Sequence, residues 1–386
     1  MRSNSDSTRS TAFRARSFAP LEPATLHVVS HPSTVPINQA VYLRMQELGS
    51  QVVIAVPSRW RHPYQHTNIR PAALPGLEHA LIQLPVALPG RPQRHIYLAN
   101  TRAIVHSLAP SMLFIEAEPF SFAALQWGVA AHSLGIPFGV QAAENVDKSL
   151  PPPVTAYRSW LLRRARFVAA RSPTAARLTR KWGARSEILL LPHAVPQWPS
   201  TGPPESGRPF TVGYAGRLVP EKGVLDLVQA SKRMTVSARL LFVGDGPLRD
   251  ELRRGGPRVT VLTDVPHAEM WRGYAQMDLL VLPSHTTRAW SEQFGRVLTE
   301  ALACGVPVVG SSSGEIPWVI EKTQGGCVFP EGDVGALAAA LDRLARNATE
   351  RAQLARSGAA AVRQFFSVDS VATSFRELCD RVTHHA

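Results

Sequence analysis

Short apolar runs alternate with helix-like stretches along this chain, and the whole alternation occurs twice. The runs of the first half lie at 26–29, 51–56, 112–115, 138–140 and 187–191. Those of the second half lie at 210–214, 239–243, 259–262, 279–282 and 306–309. Strands that alternate with helices are typical of parallel β-α-β units in a doubly wound sheet. The sequence therefore predicts an α/β protein with two facing Rossmann-like domains and a cleft between them.

A segment dense in proline, glycine and serine, 192–209, separates the two series and is typical of a linker. The length of 386 residues agrees with two to three domains of about 150 residues each. We predict five parts: a disordered basic tail at 1–21, a Rossmann-like domain at 22–196, a linker at 197–209, a second Rossmann-like domain at 210–367, and a helix at 368–386 that packs back on the first domain. The tail is rich in serine and arginine, so a transit peptide is the alternative for it.

Composition excludes several other classes of protein. The three cysteines, Cys304, Cys327 and Cys379, are far apart and odd in number, which disfavours a disulfide framework or a structural zinc site and favours a reducing, cytoplasmic compartment. No uninterrupted run of about 18 apolar residues occurs, so we expect no membrane-spanning helix. The 42 basic residues exceed the 29 acidic ones, and the net charge of +13 suits an acidic ligand, a membrane surface or a nucleic acid.

The segment GYAGRLVPEKG, residues 213–223, ends a predicted strand and begins a helix. Gly216 lets the backbone approach a phosphate closely, and Arg217 and Lys222 can neutralise a diphosphate. The segment has neither the G-x-G-x-x-G nor the Walker pattern, which disfavours a dinucleotide site and a P-loop. A surface turn with solvated basic residues is the alternative.

The segment EQFGRVLTEALACGVPVV, residues 292–309, predicts a loop, a helix and the next strand. The free N–H groups at the start of that helix would face an anion in the cleft. Glu300 lies within an otherwise apolar helix, and a buried carboxylate needs partners, which two ribose hydroxyls would supply. Glu292 lies two turns earlier, where it could meet sugar hydroxyls. The alternative is one capping acid and one surface acid.

Together these segments resemble glycosyltransferase family 4. Glu292 and Glu300 match the E-x7-E motif of retaining enzymes with the GT-B fold. The segments GRLVPEKG (216–223), VGDGP (243–247) and GVPVVGSSSG (305–314) match the family in the same order. The resemblance covers the second half of the chain and implies two facing Rossmann-like domains. It also implies transfer of a sugar from a UDP- or GDP-linked donor with retention of the anomeric configuration.

The resemblance assigns residues to the donor site. Arg217 and Lys222 match the pair that grips the donor diphosphate. Glu300 matches the acid that binds the ribose, Glu292 matches the acid that holds sugar hydroxyls, and the loop 263–265 falls where the family cradles the base. The remaining expected donor contacts are Gly216, Val265, Gln293, Phe294, Gly295, Arg296 and Val297. No D-x-D motif ends a strand of the second half, so we expect no essential metal and no cofactor besides the nucleotide sugar.

The first half matches the family less well. The loop after its first strand, SHPSTVP at 30–36, lacks the glycine pair that family members often carry there, so the hydroxyls of Ser33 and Thr34 would replace backbone N–H groups. Many relatives place a histidine after the strand matching 138–140. In this chain Glu144 and Asn145 are the nearest polar residues, as sugar or acceptor contacts or as caps of the loop.

Glu118 lies at another strand end of the first half. It either faces the cleft on the acceptor side or stabilises the start of a helix.

The chemistry that the resemblance implies is electrostatic. Breaking the bond between sugar and phosphate develops positive charge on the sugar and negative charge on the leaving diphosphate, which fixed cations and helix N–H groups stabilise. In similar enzymes the leaving phosphate helps to deprotonate the acceptor at the front face of the sugar. The residues that we predict to be catalytic are Glu292, Arg217, Lys222 and Glu144.

A basic stretch without any acidic residue extends from Lys148 through Ser186. Its later cations are Arg158, Arg163, Arg164, Arg166, Arg171, Arg177, Arg180, Lys181 and Arg185. Apolar residues between them predict a helix with a basic and an apolar face, which suits contact with an anionic membrane surface. A core-packed helix with a solvated arginine side is the equal alternative. No nucleic-acid-binding fold is evident, so we expect no nucleic-acid partner.

Together with these patterns, the resemblance implies a metal-independent, retaining hexosyltransferase that moves a sugar to a glycan or lipid-linked acceptor, in the cytoplasm or at the inner face of the membrane. A GT-B-fold epimerase or phosphorylase is one alternative, which the E-x7-E motif together with GRLVPEKG disfavours. A non-catalytic basic scaffold is the other. Such a scaffold would not need the four residues Arg217, Lys222, Glu292 and Glu300 together.

Overall fold

The computed structural model describes residues 26–61, 68–198 and 207–384. The predicted tail at 1–21 and most of the predicted linker lie outside these residues. The described residues form two parallel β-sheets, each between two layers of helices. This confirms the predicted α/β class and the two Rossmann-like domains.

The first domain alternates strands and helices as the apolar runs predict. Its strands are β1 (Leu26–Ser30), β2 (Val52–Pro57), β3 (Trp60–Arg61), β4 (Asn68–Ile69), β5 (Leu81–Leu84), β6 (Val86–Ala87), β7 (Ile96–Tyr97), β8 (Met112–Glu116), β9 (Phe138–Ala142), β10 (Phe167–Ala170) and β11 (Glu187–Leu190). Its helices are α1 (Ala40–Glu47), α2 (Thr101–Leu108), α3 (Phe122–Ser133), α4 (Pro152–Arg164) and α5 (Pro173–Lys181).

The second domain follows the same plan. Its strands are β12 (Thr211–Ala215), β13 (Arg239–Val243), β14 (Val259–Leu262), β15 (Leu279–Leu282), β16 (Val308–Ser311) and β17 (Gly326–Phe329). The helices of this half are α6 (Val224–Arg233), α7 (Arg249–Arg253), α8 (Met270–Tyr274), α9 (Arg296–Ala303), α10 (Ile316–Thr323), α11 (Val334–Arg346), α12 (Ala348–Phe365) and α13 (Val368–His384). The strand expected at 306–309 begins two residues later, after Pro307.

Strand order fixes where a ligand can bind. The first sheet has the order β11-β10-β9-β8-β1-β2-β5, and the second has the order β14-β13-β12-β15-β16-β17. The order reverses beside β1 in the first sheet and beside β12 in the second. Crevices at such reversals, at the carboxyl ends of the strands, are the usual ligand sites of doubly wound sheets.

The last helix packs on the first domain. One face of the first sheet is covered by α2, α3 and α4, and the other by α1 and α13. Phe375 of α13 lies against the rings of Phe114 and Phe167, with centroid distances of 4.8 and 6.1 Å. The chain therefore passes between the domains twice, near Val195 and near Ser367.

The prediction of one amphipathic helix in the basic stretch is wrong. The stretch forms α4, β10 and α5, because the apolar run Phe167–Ala170 pairs in parallel with β9 and β11 inside the sheet. Two of the nine cations are buried: Arg158 stacks on the ring of Trp182 at 4.3 Å, and Arg171 pairs with Glu116. Among the described residues, no helix is both long and apolar enough to cross a membrane.

Candidate functional site

Loops at the carboxyl ends of β12 and β15 bring the predicted donor residues together. The loop after β12 carries Gly216 and Arg217 and ends in a short 3₁₀ turn at Pro220–Lys222. Gly223 follows with φ +64°, and a Cβ atom there would lie 1.9 Å from the carbonyl oxygen of Pro283. Only glycine permits this close approach. The approach places Lys222 beside the loop that follows β15.

Lys222 and Glu292 form an ion pair at the centre of this arrangement. The Nζ atom of Lys222 lies 2.5 Å from Oε2 of Glu292, and the hydroxyl of Ser284 donates to the same oxygen at 2.9 Å. Lys222 also lies over the ring of Trp290, with Nζ 4.8 Å from the centroid. Glu292 is buried, so this carboxylate is held in one place by charge and hydrogen bonding.

Arg217 lies on the same loop and is half-buried. Its Nη1 atom is 3.5 Å from Oε1 of Glu221, and its carbonyl oxygen accepts a hydrogen bond from the hydroxyl of Tyr214 at 2.7 Å. Gly216 precedes it with φ +137°, in the region that favours glycine. The loop therefore presents two cations, Arg217 and Lys222, near the start of α9.

Glu300 is almost fully buried in α9, as predicted, but protein groups already surround it. Its carboxylate accepts hydrogen bonds from the hydroxyl of Tyr274 at 2.7 Å and from Nε2 of His267 at 3.0 Å. The Nε atom of Arg296 lies 2.9 Å from its Oε1 atom. Burial alone raises the pKa of this carboxyl, but the hydrogen bonds from His267 and Tyr274 and the positive charge of Arg296 outweigh burial, so its pKa is lowered.

His267 and Tyr274 are site residues that sequence reasoning missed. Neither belongs to a motif, and both reach Glu300 from the segment that follows β14. The expected base loop at 263–265 leads directly into this segment, with Val265 half-buried against the core of the second domain. The ring of Trp198 lies 5.7 Å from the ring of His267 in a tilted arrangement.

The remaining predicted donor residues surround the start of α9. Gly295, with φ +75°, is the residue before the first turn, and Gln293 and Val297 are half-buried on either side of it. Phe294 instead packs in the core of the second domain, 5.8 Å from Phe366. It supports the loop from behind.

Two hydrogen bonds connect this site with the first domain. The Nδ2 atom of Asn145 donates to the backbone oxygen of Glu292 at 2.8 Å. The Nη1 atom of Arg296 donates to Oδ1 of Asn38 at 3.1 Å. The loops of the first domain therefore meet the donor loops across the cleft.

Glu118 and Glu144 lie side by side in the loops after β8 and β9. Oε1 of Glu118 accepts from the backbone N–H of Ala143 at 2.8 Å, while its buried Oε2 has no hydrogen-bond partner. Burial, reinforced by the charge of Glu144, raises the pKa of Glu118 to about 8. Glu118 bonds to the loop after β9, on the cleft side. Glu144 pairs with Nζ of Lys148 at 2.6 Å and caps the N–H of Val146.

The hydroxyls of Ser33 and Thr34 are buried within their own loop. Ser33 bonds to the hydroxyl of Ser30 at 2.7 Å, and Thr34 donates to the carbonyl oxygen of His31 at 2.8 Å. Both hydroxyls therefore shape the turn after β1.

A buried ion pair lies beneath that turn. Nη2 of Arg171 is 2.6 Å from Oε1 of Glu116, whose other oxygen accepts from Ser30 and from Tyr42 at 2.6 and 2.7 Å. The pair borders a cavity of about 80 Å³ between the domains, which Arg296 and His193 also line. Sequence reasoning placed Arg171 on the basic face of one helix because it lies in a stretch that has nine such cations and no acid.

The described residues contain no group of three or more histidine, cysteine, aspartate or glutamate side chains arranged to hold a metal ion. The polar groups that gather in the cleft are cations, carboxylates, amides and hydroxyls. Such a set suits an anionic ligand with hydroxyl groups.

Residues 209–347 match the family model of the glycosyl transferases group 1. This match covers most of the second domain. A sulfoquinovosyl transferase of Arabidopsis thaliana, SQD2, is 36% identical over 141 residues, which are 35% of this chain and 26% of that protein. The chain thus matches about a quarter of the length of this relative.

Solved structures show the same fold over nearly the whole chain. Sucrose-phosphate synthase from Thermosynechococcus elongatus superposes with a TM-score of 0.70 at 17% identity, covering 94% of this chain and 99% of that one. HepE from Anabaena, in complex with UDP, superposes with a TM-score of 0.70 at 18% identity, covering 92% and 100%. The two Rossmann-like domains therefore form the GT-B fold, as the sequence resemblance implied.

Proposed function

We propose that this group 1 glycosyltransferase takes a sugar from a nucleotide-diphosphate donor bound at Arg217, Lys222, Glu292 and Glu300. The observation that carries the proposal is the pairing of Lys222 with Glu292 beside the start of α9. The pair puts a cation and a hydroxyl-binding carboxylate within one hydrogen bond of each other. A sugar diphosphate carries both phosphates and hydroxyls, so it could engage the cation and the carboxylate of this pair together.

The expected chemistry follows from the charges. Negative charge grows on the leaving diphosphate, and Arg217, Lys222 and the backbone N–H groups at the start of α9 are placed to stabilise it. Glu292 would orient the sugar through its hydroxyls, and Glu300 would hold the ribose beside His267. UDP is supported as the leaving nucleotide by the complex of the similarly folded HepE.

We propose further that transfer retains the anomeric configuration and needs no divalent metal. The cations of the loop after β12 would neutralise the diphosphate in place of a metal ion. Retention is tested by the anomeric coupling constant of the product in an NMR spectrum. Metal independence predicts full activity after treatment with EDTA, and restoration of lost activity by Mg²⁺ or Mn²⁺ would contradict it.

The acceptor is proposed to be a glycan or a lipid-linked sugar that enters from the first domain. Glu118 is the best-placed acceptor contact, because its buried Oε2 has no partner and its loop adjoins Asn145, which reaches Glu292. Glu144 borders the same place, and its ion pair with Lys148 supports a positioning role at the wall of the acceptor site. Ser33 and Thr34 would shape the turn after β1 on the first-domain side of the cleft.

We also propose that the protein works in the cytoplasm and binds the inner face of an anionic membrane peripherally. Exposed cations of the segment 158–185 support this proposal: Arg163, Arg164, Arg166, Arg177, Arg180, Lys181 and Arg185. A lipid-linked acceptor would then be reached without leaving the membrane surface.

The donor proposal is tested with a panel of nucleotide sugars. The matching donor should raise the melting temperature, with about 2.7 kcal/mol of stabilisation at a hundredfold excess over its Kd. It should also release its nucleotide when an acceptor is present. Glu292→Gln and Arg217→Gln should lose both effects, while the exposed controls Glu251→Gln and Arg258→Gln should keep them. Full activity of both site variants would refute the donor site.

A further inference from the structure

Exposed apolar side chains of the first domain cluster on one face. Among the residues that the structure describes, seven large apolar side chains are exposed. Five of them lie on the β6–β7 hairpin or on α3: Leu88, Ile96, Leu98, Phe122 and Val129. Leu98 is the most exposed of all, at 66%. Scattered single exposures are normal on a protein surface, but a cluster of this kind marks a contact surface.

The hairpin and α3 form one continuous surface. The side-chain amide of Gln126 on α3 bonds to both the N–H and the carbonyl oxygen of Tyr97 on β7, at 2.9 and 2.7 Å. Tyr97 is buried, so its neighbours Ile96 and Leu98 point to the opposite side, as alternation along a strand requires. Phe122 at the start of α3 bonds through its N–H to the carbonyl oxygen of Gln93 in the hairpin.

The composition of α3 is unusual for a surface helix. Its sequence, FAALQWGVAAHS, has no charged residue and is apolar except at Gln126, His132 and Ser133, although only one side packs against the sheet. Phe122, Leu125 and Val129 follow one another at helical spacing on the outer side. A shallow groove runs between this side and the start of α2. A helix that is apolar all round is expected in a core or in a lipid environment.

Arginines lie around this cluster, and neither the hairpin nor α2, α3 and α4 carry a carboxylate. Arg91 and Arg94 lie in the hairpin, Arg102 bonds to Ser133 at the end of α3, and Arg164 reaches His132 from α4. The sequence has no aspartate or glutamate in 79–115, 119–143 or 148–186. The hairpin and the whole of α2, α3 and α4 therefore contribute only positive charge.

We propose that this apolar-arginine face, made of the five apolar residues above with Arg91, Arg94, Arg102 and Arg164, docks on an anionic lipid bilayer. The apolar side chains enter the interfacial region, and the guanidinium groups bind the lipid phosphates. A second copy of the chain fits poorly, because two such faces would oppose arginines with no acid between them. The inference rests on the proposed peripheral membrane association and names the surface that makes the contact.

The test uses co-sedimentation of the full chain with vesicles. Vesicles of phosphatidylcholine with phosphatidylglycerol should bind the protein, those of phosphatidylcholine alone should bind it weakly, and salt should release it. Arg94→Gln and Arg102→Gln should each weaken binding about fivefold. Leu98→Gln and Phe122→Gln should each weaken it about tenfold. Arg258→Gln and Val328→Gln, exposed in the second domain, are the matched controls and should bind as the wild type does.

The outcomes separate this inference from the proposals on which it rests. Wild-type binding that all four face variants retain would place the membrane contact elsewhere and overturn the assigned face alone. No wild-type binding, or equal binding to neutral vesicles, would overturn the anionic-membrane proposal as well. Self-association that Leu98→Gln abolishes, without vesicle binding, would assign the face to a second copy. Donor turnover measured without vesicles checks that each variant is folded. If the wild type itself turns over no donor, the transferase proposal is refuted instead.

Discussion

The ammonium group of Lys222 lies 2.5 Å from the carboxylate of Glu292, although the two residues are 70 positions apart in the chain. Their loops follow β12 and β15, which are neighbours in the second sheet. The pair is therefore set by strand order. Each partner neutralises the other, and in the proposed donor complex a phosphate would bind the cation and a hydroxyl would bind the carboxylate.

Replacing the cation tests this arrangement most directly. Lys222→Met keeps most of the aliphatic stem but removes the charge, so kcat/KM for donor turnover should fall by about a hundredfold to a thousandfold. Steady-state kinetics with the identified donor gives the value. Lys232→Met on the outer side of α6 is the matched control and should stay near wild type. A Lys222→Met variant with unchanged kcat/KM would refute the role of Lys222 at the diphosphate.

Glu300 should make folding stability depend on pH in the acidic range. Its pKa is lowered in the folded protein, so its contribution is present above the ordinary value of 4.5 and is lost as the pH falls through the folded value. Glu300→Gln lacks this contribution and should be less stable than the wild type at pH 7. The gap should narrow at pH 3 in denaturant titrations. A gap that widens on acidification would contradict the ion pair. The variant should also bind the free nucleotide more weakly.

Glu118 should act with the opposite sign. Its folded pKa of about 8 is raised, so its favourable contribution is complete below pH 4.5 and is lost as the pH rises through 8. Glu118→Gln keeps the shape and stays neutral, and it should gain stability relative to the wild type between pH 5 and pH 9. The change is on the order of a few kcal/mol at most. If the melting temperatures of Glu118→Gln and the wild type differ by the same amount at every pH in this range, Glu118 is charged throughout and its pKa is not raised.

The pair of Arg171 with Glu116 should be a major contributor to the stability of the first domain. Arg171→Met leaves the buried carboxylate of Glu116 without its cation and should lower the free energy of unfolding by about 3–5 kcal/mol. The double variant Arg171→Met with Glu116→Gln removes the stranded charge and should recover part of that loss. Denaturant unfolding of the wild type, of the single variants Arg171→Met and Glu116→Gln, and of the double variant measures both effects. Additive losses in the double variant would mean that the two groups do not interact.

Most of the fold was predictable because central strands of parallel sheets are short runs of apolar residues. Strands such as β8 and β13 are buried on both faces, so their sequences contain almost no polar residue. Strand β10 was missed for the converse reason. Its four residues lie between Arg166 and Arg171. Because both arginines were assigned to the surface, the burial of Arg171 was not predicted. Local sequence cannot show that an arginine has a partner 55 residues away.

The residues of the candidate site also fall into two groups, those that motifs predict and those that only the fold brings together. Lys222, Glu292 and Glu300 could be predicted as site residues because they stand at fixed spacing in motifs, and the structure brings Lys222 and Glu292 into contact while it buries Glu300 in α9. His267 and Tyr274 were not found, because their only link to the site is the contact with Glu300 across the fold. On the acceptor side, the sequence offered Glu144 and Glu118 without a means of ranking them. Which of the two is the better acceptor contact depends on Lys148, which forms an ion pair with Glu144 and not with Glu118.

The position of α13 has a consequence for how the molecule is made. Val371, Phe375 and Leu378 fill the apolar face of the first sheet, beside the rings of Phe114 and Phe167. Domains usually fold in the order in which the ribosome releases them. Here the sheet that emerges first has one face covered by α1 alone until residues 368–384 leave the exit tunnel. The domain synthesised first is therefore the one completed last, and its assembly waits for the whole of the second domain.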